Sequence, residues 1–146
     1  MGDRRSAREW AVQLLFQFDF NAGEPEEAFI LFWSTLSPPE KAKQFAEYLV
    51  RGVLDHQEDI DKRLQSYAEN WDLKRMSAVD RNIMRVALFE MLHCNDIPPV
   101  VTINEAIEIA KSFSDDNSPH FVNGILDHAR KTLDRPARTA APSSSG

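Results

Sequence analysis

The 146-residue sequence predicts an all-α protein of about seven helices, arranged as two packed three-helix subdomains. Three observations carry that prediction. Apolar residues recur at three- and four-residue spacing through most of the chain. Ser, Thr, Pro and Gly fall between the stripes where helices start and stop. No alternating apolar run is bounded by hairpin turns, so no strand is expected.

The first helix carries Ala7, Ala11, Leu14, Leu15 and Phe18 on one stripe and ends at Asn21-Ala22-Gly23. Glu24-Pro25 opens a short second helix, with proline suited to a first-turn position. Ser37-Pro38-Pro39-Glu40 reads as a capped start for a third, which bears Phe45, Tyr48, Leu49 and Val53, and Gly52 allows close contact with a neighbour. A fourth is expected from near His56, with Ile60, Leu64, Tyr67 and Trp71 inward. Ser77 opens a fifth with Val79, Ile83, Val86, Ala87 and Met91, and Asn95-Asp96 followed by Pro98-Pro99 stops it. Thr102-Ile103-Asn104-Glu105 reads as a capping box for a sixth, with Ile103, Ala106, Ile107, Ala110 and Phe113 inward. Ser118 before Pro119 caps the seventh, with Val122, Ile125, Leu126, Ala129 and Leu133 inward. Residues 1–133 therefore form the helical domain, and the Pro/Ser-rich residues 134–146 form a flexible tail.

With 17 Lys and Arg against 23 Asp and Glu, the formal net charge is −6, which argues against a general, nonspecific nucleic-acid binder. Position qualifies that sum. Arg4, Arg5 and Arg8 make the first turns locally basic, while most of the acidic excess falls between residues 21 and 70. No apolar run reaches the roughly 20 residues of a membrane span, and Cys94 has no cysteine to pair with, so a cytoplasmic protein is expected. Chemistry finds no foothold. His56, His93, His120 and His128 form no metal-binding pattern, His93-Cys94 reads as core filler, and the single glycines form no phosphate loop, so no catalytic residue, metal or cofactor is expected.

Two surfaces do not fit a plain helical core. With Ala7 at zero on a helical wheel, Phe16 falls at about 180° and Phe20 at about 220°, opposite the core stripe and beside Arg5. Either helix one is wrapped by neighbours or the aromatics mark a docking face, which could also pair with itself in a homodimer. The second surface is Asn117-Ser118-Pro119-His120-Phe121. It is either a capped helix start, with Gly124 for tight packing, or a site where a base stacks on Phe121 and Asn117 and Ser118 bond base edges.

Arg4-Arg5-Ser6-Ala7-Arg8-Glu9, Val79-Asp80-Arg81, Asp96-Ile97-Pro98, Val101-Thr102-Ile103-Asn104-Glu105-Ala106-Ile107-Glu108 and Phe121-Val122-Asn123-Gly124-Ile125-Leu126-Asp127 together resemble the bacterial transcription antitermination NusB family. The resemblance implies a seven-helix protein that binds single-stranded boxA-type RNA in ribosomal RNA leader transcripts. It does so together with NusE, a small-subunit ribosomal protein, and helps assemble an antitermination complex on RNA polymerase. It places RNA on Arg4, Arg5, Arg8, Asn117, Ser118 and Phe121, and a protein partner on Phe16 and Asp80, with Phe20 joining from the wheel. His120 and Asn117 depart from one relative in the family, which has lysine and aspartate in their places. About three arginine contacts imply a salt slope near −2 on single strands, hence modest affinity without the partner. Two other readings are a protein-binding helical scaffold without RNA contact and a detached RNA-binding domain related to ribosomal-RNA cytosine methyltransferases.

Overall fold

The computed structural model describes residues 3–68, 72–113 and 117–133. They form six α-helices and no strand: α1 (Asp3–Phe20), α2 (Pro25–Trp33), α3 (Glu40–Ala68), α4 (Ala78–His93), α5 (Pro99–Phe113) and α6 (Ser118–Lys131), with a 3₁₀ turn at Leu73–Arg75 before α4. The expected third and fourth helices are one helix of 29 residues. No glycine or proline interrupts it except Gly52, and the buried Ala46, Leu49, Val53, Ile60 and Leu64 keep one continuous stripe through His56. A side-chain carbon on Gly52 would overlap the Phe89 ring, so this glycine lets α3 and α4 meet, as its position suggested. Trp71 and residues 134–146 lie outside the described residues.

Helix α4 is the shared element. It is buried on nearly every side, with Ile83, Met84, Leu88 and Met91 almost fully enclosed. Helices α1 and α3 pack on it from one side and α5 and α6 from the other, so two three-helix groups share α4 and one continuous core. Contacts Arg8–Glu90 and Asn82–Asp19 set α1 antiparallel to α4. Tyr48–Phe89 and Arg85–Asp61 do the same for α3. Ala7, Ala42 and Ala46 form a small second cluster in which short side chains let α1 approach α3.

Buried charges are satisfied within this frame, as burial requires. Arg85 donates to both oxygens of Asp61 at 2.8 Å and to Asp19 and Asn82 at 3.0 Å. Arg81 reaches Asp19 at 3.4 Å. Both arginines thus pair inside the fold, with Asp19 and Asp61.

Helix starts differ from expectation in instructive ways. Ser77 caps α4 by accepting the Asp80 N–H at 3.1 Å, and Pro25 occupies the first turn of α2. Helix α3 starts only at Glu40, with the Lys43 N–H on the Pro39 carbonyl at 3.0 Å, so Ser37 lies upstream of it. The capping box at Thr102 and Glu105 is overridden: α5 already begins at Pro99, and both side chains turn to α4 and α1 instead. Phe113 is exposed rather than inward. A side-chain carbon added at Gly124 would meet nothing within 4 Å, so this glycine serves no tight contact. Among the described residues no helix is long and apolar enough to cross a membrane.

Candidate nucleic-acid interface

The first turns of α1 lie beside the α4–α5 connection and form an open groove of about 540 Å3, lined by Arg4, Arg5, Arg8, Asp96, Ile97 and Glu105. Each arginine there faces a carboxylate. Arg5 makes a two-pronged pair with Glu105, Nε and one terminal nitrogen each at 2.8 Å, and remains substantially exposed. That hydrogen-bonded pair holds the Glu105 carboxyl below its ordinary value and raises the Arg5 guanidinium above its own. Arg4 lies over the Phe45 ring at 4.7 Å and within 3.9 Å of Asp96, again exposed.

Arg8 is different. Its side chain is 6% exposed and its guanidinium donates to both oxygens of the fully buried Glu90, at 2.6 and 2.8 Å. The Thr102 hydroxyl completes Glu90 at 3.1 Å. The structure therefore gives Arg8 an internal partner, whereas Arg4 and Arg5 are presented to solvent.

A second groove, of about 570 Å3, opens between the start of α6 and the turn before α4, and is lined by Arg75, Met76, Asp80, Asn117, His120 and Phe121. Phe121 is half-buried, Asn117 and His120 are exposed. Ser118 is buried and donates its hydroxyl to Asp80 at 2.9 Å. Asn117, not Ser118, precedes the first helical residue of α6, and its carbonyl accepts the Phe121 N–H at 3.1 Å. Asp80, expected on a protein-docking surface, thus joins Ser118 in the floor of this groove.

The two grooves lie toward opposite ends of α4. Asp80 lines the second, and Glu90, buried behind Arg8 of the first, lies about 15 Å from it along the helix and about 80° around it, at 1.5 Å and 100° per residue. On α1, Phe16 and Phe20 are 37% and 67% exposed, their rings 5.0 Å apart, so neighbours do not wrap that face. Sequence reasoning brought Arg4, Arg5, Asn117 and Phe121 to open surfaces. It missed the matching acids Asp96, Glu90 and Glu105, and Arg75, whose only signal was its place immediately after Lys74 and just before the Ser77 cap.

This arrangement can be set beside known proteins. Residues 5–131 match the NusB family. The chain belongs to the NusB family. It is 48% identical over 127 residues to a transcription antitermination protein NusB from Desulfatibacillum aliphaticivorans, which spans 87% of this chain and 89% of that protein. Its fold is that of a NusB crystal structure from T. maritima, with a TM-score of 0.80, 40% identity and coverage of 90% of this chain and 93% of that one. A likeness of fold also holds to a chain in the crystal structure of antitermination factors NusB and NusE in complex with dsRNA, with a TM-score of 0.80, 24% identity and coverage of 90% and 98%. The NusB-family match takes in every candidate site residue except Arg4, which directly precedes it. In this NusB-family chain both grooves and the Phe16–Phe20 face therefore sit on the shared framework.

Proposed function

We propose that this chain is a transcription antitermination factor that binds boxA-type RNA of ribosomal RNA leader transcripts, as a non-enzymatic adaptor. The observation that carries the reading is the pair of grooves toward opposite ends of α4, within a chain 48% identical to a transcription antitermination protein. Arg4 and Arg5 offer exposed guanidinium groups for phosphates at one end, and Phe121 offers a half-open ring for base stacking at the other. Asn117 supplies polar atoms for a base edge, while buried Ser118 acts by holding Asp80 in the second groove and Arg8 by pairing with Glu90 behind the first. Residues 1–133 are the functional unit, and the cytoplasm is where it works.

A structurally similar chain occurs in a complex with NusE and RNA, and this chain takes the same class of partners. Phe16 and Phe20 form the protein-docking face and Asp80 adds an acidic group near the second groove, together suited to the basic surface of a ribosomal-type protein. Docking NusE enlarges the joint surface, and the assembly joins RNA polymerase. Without the partner, the same aromatic face is available for a homodimer.

The test is a titration of the full chain with a boxA-type RNA and with a scrambled RNA of equal length, with and without NusE. Tighter binding of the boxA-type RNA, strengthened by NusE, is expected. Equal affinity for the two RNAs in both settings refutes the reading. Sedimentation across a concentration range, with Phe20→Asp as control, tests the homodimer.

A further inference from the structure

The N-terminal groove carries three guanidinium groups, each paired with a carboxylate: Arg4 with Asp96 and Arg5 with Glu105 in the groove itself, and Arg8 with Glu90 buried behind it. Its local charge is balanced. A phosphate arriving there competes with a carboxylate already in place, so this groove alone provides little net attraction. The second groove holds a cation in a different state. Arg75 is exposed, lines the same groove as Phe121 and His120, and has no side-chain hydrogen bond or ion pair among the described residues.

Its backbone is nonetheless fixed. The Arg75 N–H donates to the Asp72 carbonyl at 2.9 Å, and the Asp72 side chain accepts the Lys74 N–H at 3.0 Å. The next residue, Met76, is buried and closes the turn on Leu73 at 3.2 Å. Arg81, itself held by Asp19, donates to the Leu73 and Met76 carbonyls at 3.3 and 3.4 Å. A pinned turn thus presents a side chain that no carboxylate among the described residues pairs with. Lys74 is the natural comparison: it sits in the same turn and is exposed, but it lines a different groove, with Asp61 and Arg85.

We infer that Arg75 is a phosphate-binding residue of the RNA site, gripping the backbone of the nucleotide whose base stacks on Phe121. The inference rests on the RNA-binding reading above. It explains how a groove floored by Asp80 attracts an anion, and it places a second cation of the interface in the groove that holds Phe121, apart from the N-terminal arginines.

The experiment compares the unmutated chain, Arg75→Ala, Arg75→Lys and Lys74→Ala, measuring affinity for a boxA-type single-stranded RNA oligonucleotide at several salt concentrations. Arg75→Ala weakens binding roughly fivefold and lowers the salt slope by about 0.7, the share of one phosphate contact on a single strand. Arg75→Lys recovers most of the slope, and Lys74→Ala changes neither quantity by as much. In a double-mutant cycle, Arg75→Ala and Phe121→Ala are non-additive, because both act on one nucleotide. Circular dichroism confirms that each variant is folded. Binding by the unmutated chain with Arg75→Ala indistinguishable from Lys74→Ala overturns the role of Arg75 and leaves the RNA reading standing. No preference of the unmutated chain for the boxA-type RNA, with or without NusE, overturns both.

Discussion

Replacing Glu90 by alanine tests the buried pair that ties α1 to α4. The Glu90 side chain is 0% exposed and that of Arg8 6%, so neither charge has water to fall back on. Removing one member of such a pair typically costs about 3–5 kcal/mol, because the survivor stays buried and uncompensated. In Glu90→Ala the Arg8 guanidinium retains Glu105, 3.8 Å away and partly exposed, which places the cost near the lower bound, at about 3 kcal/mol. In Arg8→Ala the Glu90 carboxylate retains only the Thr102 hydroxyl at 3.1 Å, and the cost rises to about 4 kcal/mol. Arg8→Met with Glu90→Leu removes both charges and keeps most of the volume, so it falls within about 1 kcal/mol of the parent. Urea unfolding followed by circular dichroism reads all three, with the change in midpoint at constant slope giving the energy. A Glu90→Ala variant within about 1 kcal/mol of the parent refutes the argument. So does a double variant as unstable as the sum of the single ones. The folded double variant then separates the roles of Arg8: RNA affinity close to that of the parent is expected if its guanidinium ties α1 to α4 and does not itself contact RNA.

Three further outcomes follow from the same geometry. Glu105→Gln frees Arg5 from its two-pronged carboxylate contact, and by the worth of an exposed pair it raises affinity for boxA-type and scrambled RNA alike by up to about fivefold; weaker binding in a filter assay shows instead that Glu105 orients Arg5 for RNA. Gly52→Ala drives a methyl group into the Phe89 ring, and overpacking costs about 1–3 kcal/mol against a helix-propensity gain of at most about 1, so its melting temperature drops; an unchanged melt rules out the close α3–α4 contact. Burial first, and then the neighbouring His56, hold the His93 imidazole below its ordinary value, with the two rings stacked at 4.4 Å. The unfolded chain therefore takes up a proton at His93 more readily than the folded one, so this contribution is complete above about pH 6.5 and is lost as the pH falls below it. His93→Gln flattens the stability difference between pH 7.5 and pH 5.5, and an undiminished difference assigns it to other groups.

The helices were legible because burial in this fold follows the helical repeat: Ala7, Ala11, Leu14 and Leu15 on α1 and Val122, Ile125, Leu126 and Ala129 on α6 are buried where the spacing placed them. The break expected near His56 came from taking the repeat of Ile60, Leu64 and Tyr67 as a new helix, although the stripe from Ala46 to Leu64 continues without a helix breaker except for Gly52, whose partner Phe89 lies on another helix. Capping patterns were less informative. Thr102 and Glu105 have the spacing of a capping box, yet tertiary partners 12 and 100 residues away claim both side chains. The same limit hid the state of the arginines. A wheel places Arg8 on the flank of α1, but its burial depends on Glu90, 82 residues distant and set in an otherwise apolar run of α4. Arg75 was overlooked for the converse reason: nothing in its local pattern shows that the turn opens onto Phe121.

The net charge of −6 and an RNA-binding role become compatible once charges are counted by partner rather than by number. A guanidinium already paired with a carboxylate, like Arg5 with Glu105, attracts a distant polyanion weakly and yields its bond only to a phosphate in the right place. Such a groove disfavours adventitious RNA, because long-range attraction nearly cancels while short-range geometry still discriminates. Arg75, with no carboxylate of its own among the described residues, would then supply the attraction, and Phe121 beside it the base contact. One such charge gives a shallow salt dependence and modest affinity by itself. A basic partner docked on the exposed Phe16–Phe20 face would add both area and positive potential without altering either groove. Selectivity would thus be built into the chain and strength delivered by the partner, and raising the salt concentration should weaken the three-component assembly more steeply than the chain–RNA pair.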